Sequence, residues 1–371
     1  VLRLWRIRWN LIRLFIAAFC LWTLGSDAAS RAARLTLAQF PDADMLAEVR
    51  TLRAEGKFDE AILVADAAIA SNRGERAKAL IDERDAAQRD RDSLWRKAKD
   101  AGRGAATGSG DSLEALAGAV AADFFLVGDV RDLAIQGYRG VTGQETDELI
   151  ILLSTVGVAT TLAPEVDWAP SILKALRKLG AMSDNLAHTL LNMLRKGDKA
   201  NLARVFGDID DLALRAGPGG AAALIKHADD PADIARMRAF AVARPHGAFT
   251  MYRTGREGVS LLRAAEGSAS SARRAADATT LAARKGPAAR AFLGSKAGRV
   301  LIRPHPFVGV AKAFTKGNLA DVIARAVERL DPTAWWLVPL LAAWCAVEAV
   351  WLSRRVLAPR HTSPVQSEPR A

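Results

Sequence analysis

Few residues have types and spacings that could do chemistry. His227, Asp229, Asp230 and Asp233 fall within seven positions and are donor types of a metal site. A zinc site, however, needs three or four ligands in fixed geometry, and the local grammar gives these acids another task. Asp230 precedes Pro231 and Asp233 follows three residues on, the order of a helix N-cap, a first helical residue and an N3 carboxylate. Ser183, Asp184 and His188 offer a hydroxyl, an acid and an imidazole. A nucleophile would need an exposed turn and a base oriented by a third group, so pairing along a helix surface is the expected role. No G-x-S-x-G, H-E-x-x-H, P-loop, G-x-G-x-x-G or C-x-x-C occurs. The expectation is therefore no catalytic set, no metal and no cofactor.

Charge offers a second chemistry. Lys and Arg number 52 against 41 Asp and Glu, a net charge of +11 over 371 residues. The excess is concentrated, because ten basic residues lie between Ser271 and Ala320 against one acid, Asp277. Arg273, Arg274, Arg284, Lys285, Arg290, Lys296, Arg299 and Arg303 are the candidates for contact with anions or lipid headgroups. The competing reading is a basic surface left by a composition rich in Ala and Arg. Nucleic acid is not expected as a partner: Phe292, Phe307 and Phe314 sit among apolar neighbours, with no stacking platform or recognition helix.

The two ends differ from the middle. Seven of nine tryptophans (Trp5, Trp9, Trp22, Trp335, Trp336, Trp344, Trp351) and both cysteines, Cys20 and Cys345, lie there. Tryptophan favours a membrane–water interface. Arg3, Arg6, Arg8 and Arg13 precede the apolar run Leu14–Gly25, which reads as a signal peptide cleaved after Ala28 or as a retained signal anchor. Ala334–Leu352 is 19 residues with one acid, Glu348, and is followed by Arg354, Arg355 and Arg360. Its length suits a transmembrane helix, within which Glu348 is a polar residue suited to a partner helix or to headgroup water. Positive flanks stay in the cytoplasm. The expected location is thus a bacterial inner membrane, with the bulk of the chain periplasmic and the tail at 353–371 cytoplasmic. Membrane lipid and envelope proteins are the expected partners, and an oligomer could form through the C-terminal helix. The chain opens on Val1, from an alternative start codon or a truncation.

Apolar residues repeat with helical period and alternating stretches are missing, so the class is all-α, a short-helix exported region between the two end segments. Only Val300–Pro306 could be a strand, and its prolines argue against it. Residues 29–100 read as a helical hairpin plus a long charged helix. Met45, Val49 and Leu52 share one face, Gly56 breaks the helix, and Phe58 opens the next. The run Leu52-Arg53-Ala54-Glu55-Gly56-Lys57-Phe58-Asp59-Glu60-Ala61-Ile62, continued by Ala65 and Ala68, resembles a tetratricopeptide unit. That resemblance covers about thirty residues (42–71), without the family's Trp and Leu-Gly signature or closing proline. It implies a hairpin whose open face needs neighbours, since about three such repeats normally stack. Glu75–Asp100 reads as a solvated spacer helix or a coiled-coil, partner-binding one, with i,i+4 charge pairs.

Residues 101–110 are a glycine-rich linker by composition. An apolar helical domain follows at 111–216, with helices at Leu113–Val127 and Leu149–Ala163. The phrase Asp123-Phe124-Phe125-Leu126-Val127-Gly128-Asp129-Val130-Arg131-Asp132 resembles the helical pre-toxin segments of bacterial polymorphic toxins. A short-helix basic region occupies 217–333, with a hinge-like break at Gly217-Pro218-Gly219-Gly220. Three functions fit this layout: a membrane-anchored, non-catalytic envelope scaffold or interaction module, a membrane-active effector that inserts the 111–163 hairpin, or an enzyme whose site carries no recognisable motif.

Overall fold

The computed structural model describes residues 2–102, 147–160, 168–302 and 337–357. Every regular element among them is helical: α1 (Leu2–Gln39), α2 (Met45–Ala54), α3 (Phe58–Ile69), α4 (Glu75–Gly102), α5 (Glu148–Thr160), α6 (Ala169–Lys178), α7 (Asp184–Lys196), α8 (Lys199–Ile225), α9 (Pro231–Ala243), α10 (Gly247–Ala264), α11 (Ala269–Ala283), α12 (Pro287–Gly294), a 3-10 turn (Gly298–Ile302) and α13 (Leu337–Leu357). The protein is all-α. The strand candidate at 300–306 begins inside the 3-10 turn, and the extended pairing among the described residues is one antiparallel bridge, Asp42 to Lys285. The linker beyond Gly102, the helix expected at 113–127, the 123–132 resemblance, Arg303 and the tail beyond Leu357 lie outside the described residues.

The chain divides into two units: Val1–Leu35 with Ser268–Ser270 and Arg303–Ala371, and Thr36–Gly267 with Ser271–Ile302. In the second unit, helix ends fall where local chemistry places them. Asp44 accepts the Ala47 N–H ahead of α2, and α2 buries Met45, Val49 and Leu52. Gly56, with φ +74°, turns the chain into α3, a reversal only glycine makes without strain. Ser183 caps α7 through the Leu186 N–H, and Gly197, with φ +64°, closes it. Residues 42–100, 169–216 and 217–302, read as separate segments in the sequence, pack here around α8, which touches α3, α6, α7, α9 and α10. Each large aliphatic side chain fully buried there, such as Leu173, Leu186, Leu190 or Ile209, contributes about 1.5–3 kcal/mol.

α4 differs from the spacer reading. Leu80 and Ala87 are buried, and the helix packs along α2 and α3. Its charges reach across to those helices: Glu83 takes Arg50 at 2.9 Å and Arg53 at 3.0 Å, and Asp90 takes Arg53 at 2.8 Å. A hairpin face must be covered, and α4 covers it.

The middle of α8 carries the decisive local event. Gly217 leaves the helical region at φ +73° and ψ 162°, and Pro218 restarts the helix, so the residues from Gly219 to Ile225 form a buried segment. A helix that starts inside a core leaves its first N–H groups without water. Pro218 has no N–H to satisfy, and the Gly219 N–H donates to Asp59 Oδ2 at 2.8 Å, 160 residues away in sequence. A Cβ on Gly217 would lie 2.3–2.6 Å from the Asp59 carboxylate, so glycine is required there by space as well as by φ. Asp210 performs the same service for α6, which lacks a side-chain cap of its own, accepting the Trp168 and Ala169 N–H groups at 2.8 and 3.1 Å.

The first unit holds α1 up to Leu35 and α13. Among the described residues, no helix is long and apolar enough to cross a membrane. The expectations of a transmembrane helix at 334–352 and a signal or signal-anchor segment at 1–28 are therefore not supported as made. Asn10 and Arg13 interrupt the apolar residues of α1, Glu348 interrupts those of α13, and the small residues Ser26–Ala28 lie mid-helix.

Asp59→Ala should lower stability by about 1–3 kcal/mol, the cost of leaving a buried donor unpaired. Asp59→Asn, which keeps an acceptor oxygen, should lose clearly less. Urea unfolding of the full chain measures both, and equal losses would show that the hydrogen bond is not what matters.

Candidate functional site

Among the described residues of the second unit, three places gather polar side chains. The first is an open cleft of about 430 Å³ at the mouth of the hairpin, lined by Asp42, Asp44, Arg76, Asn72, Ser71 and Arg284 above Met45, Leu46 and Leu80. The Asp42–Lys285 bridge builds one wall: the Ala43 N–H donates to the Arg284 carbonyl at 3.0 Å and the Gly286 N–H to the Pro41 carbonyl at 3.1 Å. Asp44 holds Arg76 at 2.9 Å and Asp42 holds Lys285 at 2.8 Å. Arg284 is exposed and takes part in no ion pair among the described residues. It is the cationic side chain of the cleft left for a ligand.

The second is a run of ionisable groups along α3, α8 and α10. Asp59 and Glu60 are buried on α3. Burial pushes both carboxyls above the usual range; for Asp59 the Gly219 N–H and Arg91, 3.6 Å away, pull the other way. Burial lowers Lys226, and burial together with Lys226 and Arg290 brings His227 down to about 4. Tyr252 is pushed up by burial and by the nearby charges of Glu60 and Glu48. A second glycine break explains how the chain fits. Gly255, at φ +54° and ψ −139°, interrupts α10, and a Cβ there would come within 3.0 Å of Arg290 and 3.2 Å of His227 Nε2. Arg290 in turn holds Glu257 at 2.7 Å. This group contains a neutral imidazole and two high-pKa acids but no Ser or Cys nucleophile, so its evident work is to join helices.

The third is the set around His227, Asp229, Asp230 and Asp233. Asp230 accepts the Asp233 N–H at 2.8 Å with Pro231 as the first helical residue, the cap read from the sequence. Asp233 is buried, receives the Asp229 N–H at 2.9 Å, and is held by Arg236 and Arg263. Its carboxylate oxygens are thus committed to arginines from α9 and α10. Among the described residues, no three His, Cys, Asp or Glu side chains group as metal ligands. Ser183 is likewise committed, its hydroxyl donating towards the Ala228 and Asp229 carbonyls at 3.1 and 3.3 Å. Asp184 and His188 are exposed on α7 with no hydrogen bond between them.

The structure divides the basic candidates. Lys285 and Arg290 are engaged with Asp42 and Glu257, and Arg274 is buried. Arg273, Arg284, Lys296 and Arg299 are exposed and unpaired among the described residues. Glu348 lies half-buried on α13. Sequence reasoning missed Asp59, Asp210 and Arg253. Arg253 reaches Glu48 on α2 and donates to the Ala283 and Lys285 carbonyls at 3.3 and 3.1 Å. No local signal marks them, because each partner lies at least thirty residues away. No family model, curated protein or solved structure matches the chain.

His227 yields a pH prediction. Its folded pKa lies below the ordinary 6.5, at about 4, so the unfolded chain binds the proton first as pH falls. The stability that neutral His227 permits is complete above 6.5 and is lost between about 6.5 and 4, by up to about 1.4 kcal/mol per pH unit. Asp59 and Glu60, with raised values, favour folding as pH falls and oppose the loss. Chemical unfolding across this range should therefore show His227→Gln stabilised relative to wild type at pH 4.5 and not at pH 7.5; parallel profiles would remove His227 from the account.

Proposed function

We propose that this chain is a non-catalytic interaction scaffold held at a membrane of the bacterial envelope by its two terminal helices, with the α2–α12 unit meeting protein partners. One observation carries the reading. All the large apolar side chains exposed among the described residues, save Ile81, Leu214 and Val242, lie on α1 and α13: Trp9, Leu11, Ile12, Phe15, Ile16, Trp22 and Leu35 on one, Leu340, Trp344, Val347, Val350 and Trp351 on the other. Contiguous apolar faces of that kind want a nonaqueous neighbour, and tryptophans with flanking arginines suit a lipid interface. With Arg3, Arg6 and Arg8 before one face and Arg354 and Arg355 after the other, both ends belong on the cytoplasmic side and the rest on the periplasmic side.

Two further features support the scaffold role. The buried acids and arginines described in the second unit are committed to helix joining. The mixed-charge cleft beside Arg284 offers a partner segment a concave entry. Insertion of an apolar hairpin by an effector is less supported, because α5 already buries Leu149, Ile150 and Leu153. The exposed cations Arg273, Arg284, Lys296 and Arg299 suit anionic headgroups, and such attraction is screened over about 8 Å at physiological ionic strength.

In a bacterial host the full chain should sediment with membranes, resist a high-salt wash and leave only with detergent. Phe15→Asp combined with Trp344→Asp should shift it to the supernatant. Wild-type chain in the soluble fraction would overturn the anchor. On anionic vesicles, reversing Arg273, Arg284, Lys296 and Arg299 to Glu should weaken binding several-fold at low salt and change little at high salt; no change at low salt would return those residues to a surface without a lipid role.

A further inference from the structure

We propose that the break in α10 at Gly255 is a phosphate-binding site, where Arg290 and His227 converge beside a residue with no side chain and Lys226 adds a second cation. The inference goes beyond the scaffold reading and does not rest on the membrane anchor. Its geometry comes from three elements of the second unit. Gly255, at φ +54° and ψ −139°, holds a backbone conformation that suits glycine. A Cβ there would stand 3.0 Å from Arg290 Nη2 and 3.2 Å from His227 Nε2. Both nitrogens therefore lie within hydrogen-bond reach of one point beside the bare backbone. Arg290 comes from α12, and its Nε donates to Glu257 at 2.7 Å, which fixes the guanidinium and leaves its Nη groups without a hydrogen bond among the described residues. Lys226 and His227 follow directly on the end of α8. Both are half-buried, and neither side chain makes a hydrogen bond or an ion pair among the described residues.

The charges around this point do not balance. Glu257 is taken by Arg290 Nε, Asp229 by Arg256 at 3.4 Å, and Glu55 by Lys57 at 2.7 Å. Glu60 on α3 attracts Lys226 without forming an ion pair with it, and burial pushes that carboxyl towards its neutral form. Burial, Lys226, Arg290 and Arg256 together keep the proton off His227, with Glu257 opposing them. A half-buried ammonium without a partner is costly, and an anion from outside the chain offsets that cost. A phosphate monoester carries about −1.5 to −2 charges at pH 7 and three acceptor oxygens, enough to answer both Lys226 and Arg290. A carboxylate, with one charge, leaves one of them unanswered. The guanidinium fork suits two phosphate oxygens, and Lys226 adds a point contact. The imidazole supplies a further N–H, and a dianion beside it draws the proton back onto His227. The ligand is thus a terminal phosphate, free in solution or on a lipid headgroup.

The test is equilibrium dialysis of the full chain, in dodecyl maltoside micelles at constant ionic strength, against radiolabelled inorganic phosphate at pH 7. Wild type should bind one phosphate per chain, with half-saturation at or below about 1 mM. Lys226→Gln and Arg290→Gln should each weaken binding about ten-fold, the loss of one charge-assisted contact. Arg215→Gln, which removes an exposed cation elsewhere on α8, should leave it unchanged. Arg290 also joins α12 to α10, so helical circular dichroism accompanies each variant. If Arg290→Gln does not fold, Lys226→Gln decides, because that side chain holds no helix in place. Micelles doped with phosphatidic acid identify the source: displacement of the label by them, and not by phosphatidylcholine, names a lipid headgroup, and retention of the label names a free phosphate. Absence of saturable binding, equal binding by wild type and Lys226→Gln, or equal weakening by Arg215→Gln would each overturn the site. None of these outcomes bears on the scaffold reading, which membrane fractionation tests separately.

Discussion

A helix that begins inside a hydrophobic core must find acceptors for N–H groups that water cannot reach. The second half of α8 has that requirement, and the arrangement of the Thr36–Ile302 region follows from how it is met. Proline removes one donor, Asp59 takes the next, and the glycines at 217 and 219 clear the space for a carboxylate to stand against the backbone. Because the acceptor comes from α3, the hairpin cannot be a loosely tethered module. Because burial raises the Asp59 pKa, the same contact is sensitive to how well the surrounding helices exclude water. A carboxylate at a helix start also meets the positive end of the helix dipole, which offsets part of the cost of burying it.

The protein uses charge mostly inward. Arg53, Arg253, Arg263 and Arg290 each join helices or loops distant in sequence, and several touch backbone carbonyls or buried acids rather than open water. Isolated surface ion pairs are worth little, but a half-buried arginine with two or more acceptors fixes the relative placement of the helices it touches. That is how a chain rich in alanine, whose small side chains interlock weakly, can still specify one packing. The surplus of positive charge remains on the outside at a handful of positions.

What the sequence made legible was local. The all-α class, the α2–α3 hairpin with its buried Met45, Val49 and Leu52, the Asp230-Pro231 start of α9 and the break at Gly217 all rest on residues within a few positions of one another, where capping and periodicity operate. The break in α10 falls at Gly255 and not at the nearby Gly258, which serves to let Thr254 and Thr279 pack close; no one-dimensional signal distinguishes the two glycines. The basic tract was legible as a count and illegible as a surface. Asp42 and Glu257, which neutralise Lys285 and Arg290, lie outside the tract in sequence and beside it in space. The acids at 59 and 210 were invisible as caps for the same reason: a cap supplied by another helix leaves no trace beside the helix it caps. α4 looked like a solvated spacer because the acids and bases that dock it on α2 and α3 have the same composition as a helix that docks on nothing.

The span between Asp59 and Gly219 sets a schedule for synthesis. At about 5–20 residues per second, α3 leaves the ribosome roughly 10–30 s before the segment it must hold. Throughout that interval the hairpin carries two acids destined for burial with nothing yet to bury them against, and its apolar face has only α4 for company. The nascent chain therefore carries the α2–α3 hairpin ahead of the segment that locks it, and a chaperone has a defined interval in which to engage it. Closure comes late and at one point, when Gly217 and Pro218 arrive and the α8 restart meets the waiting carboxylate.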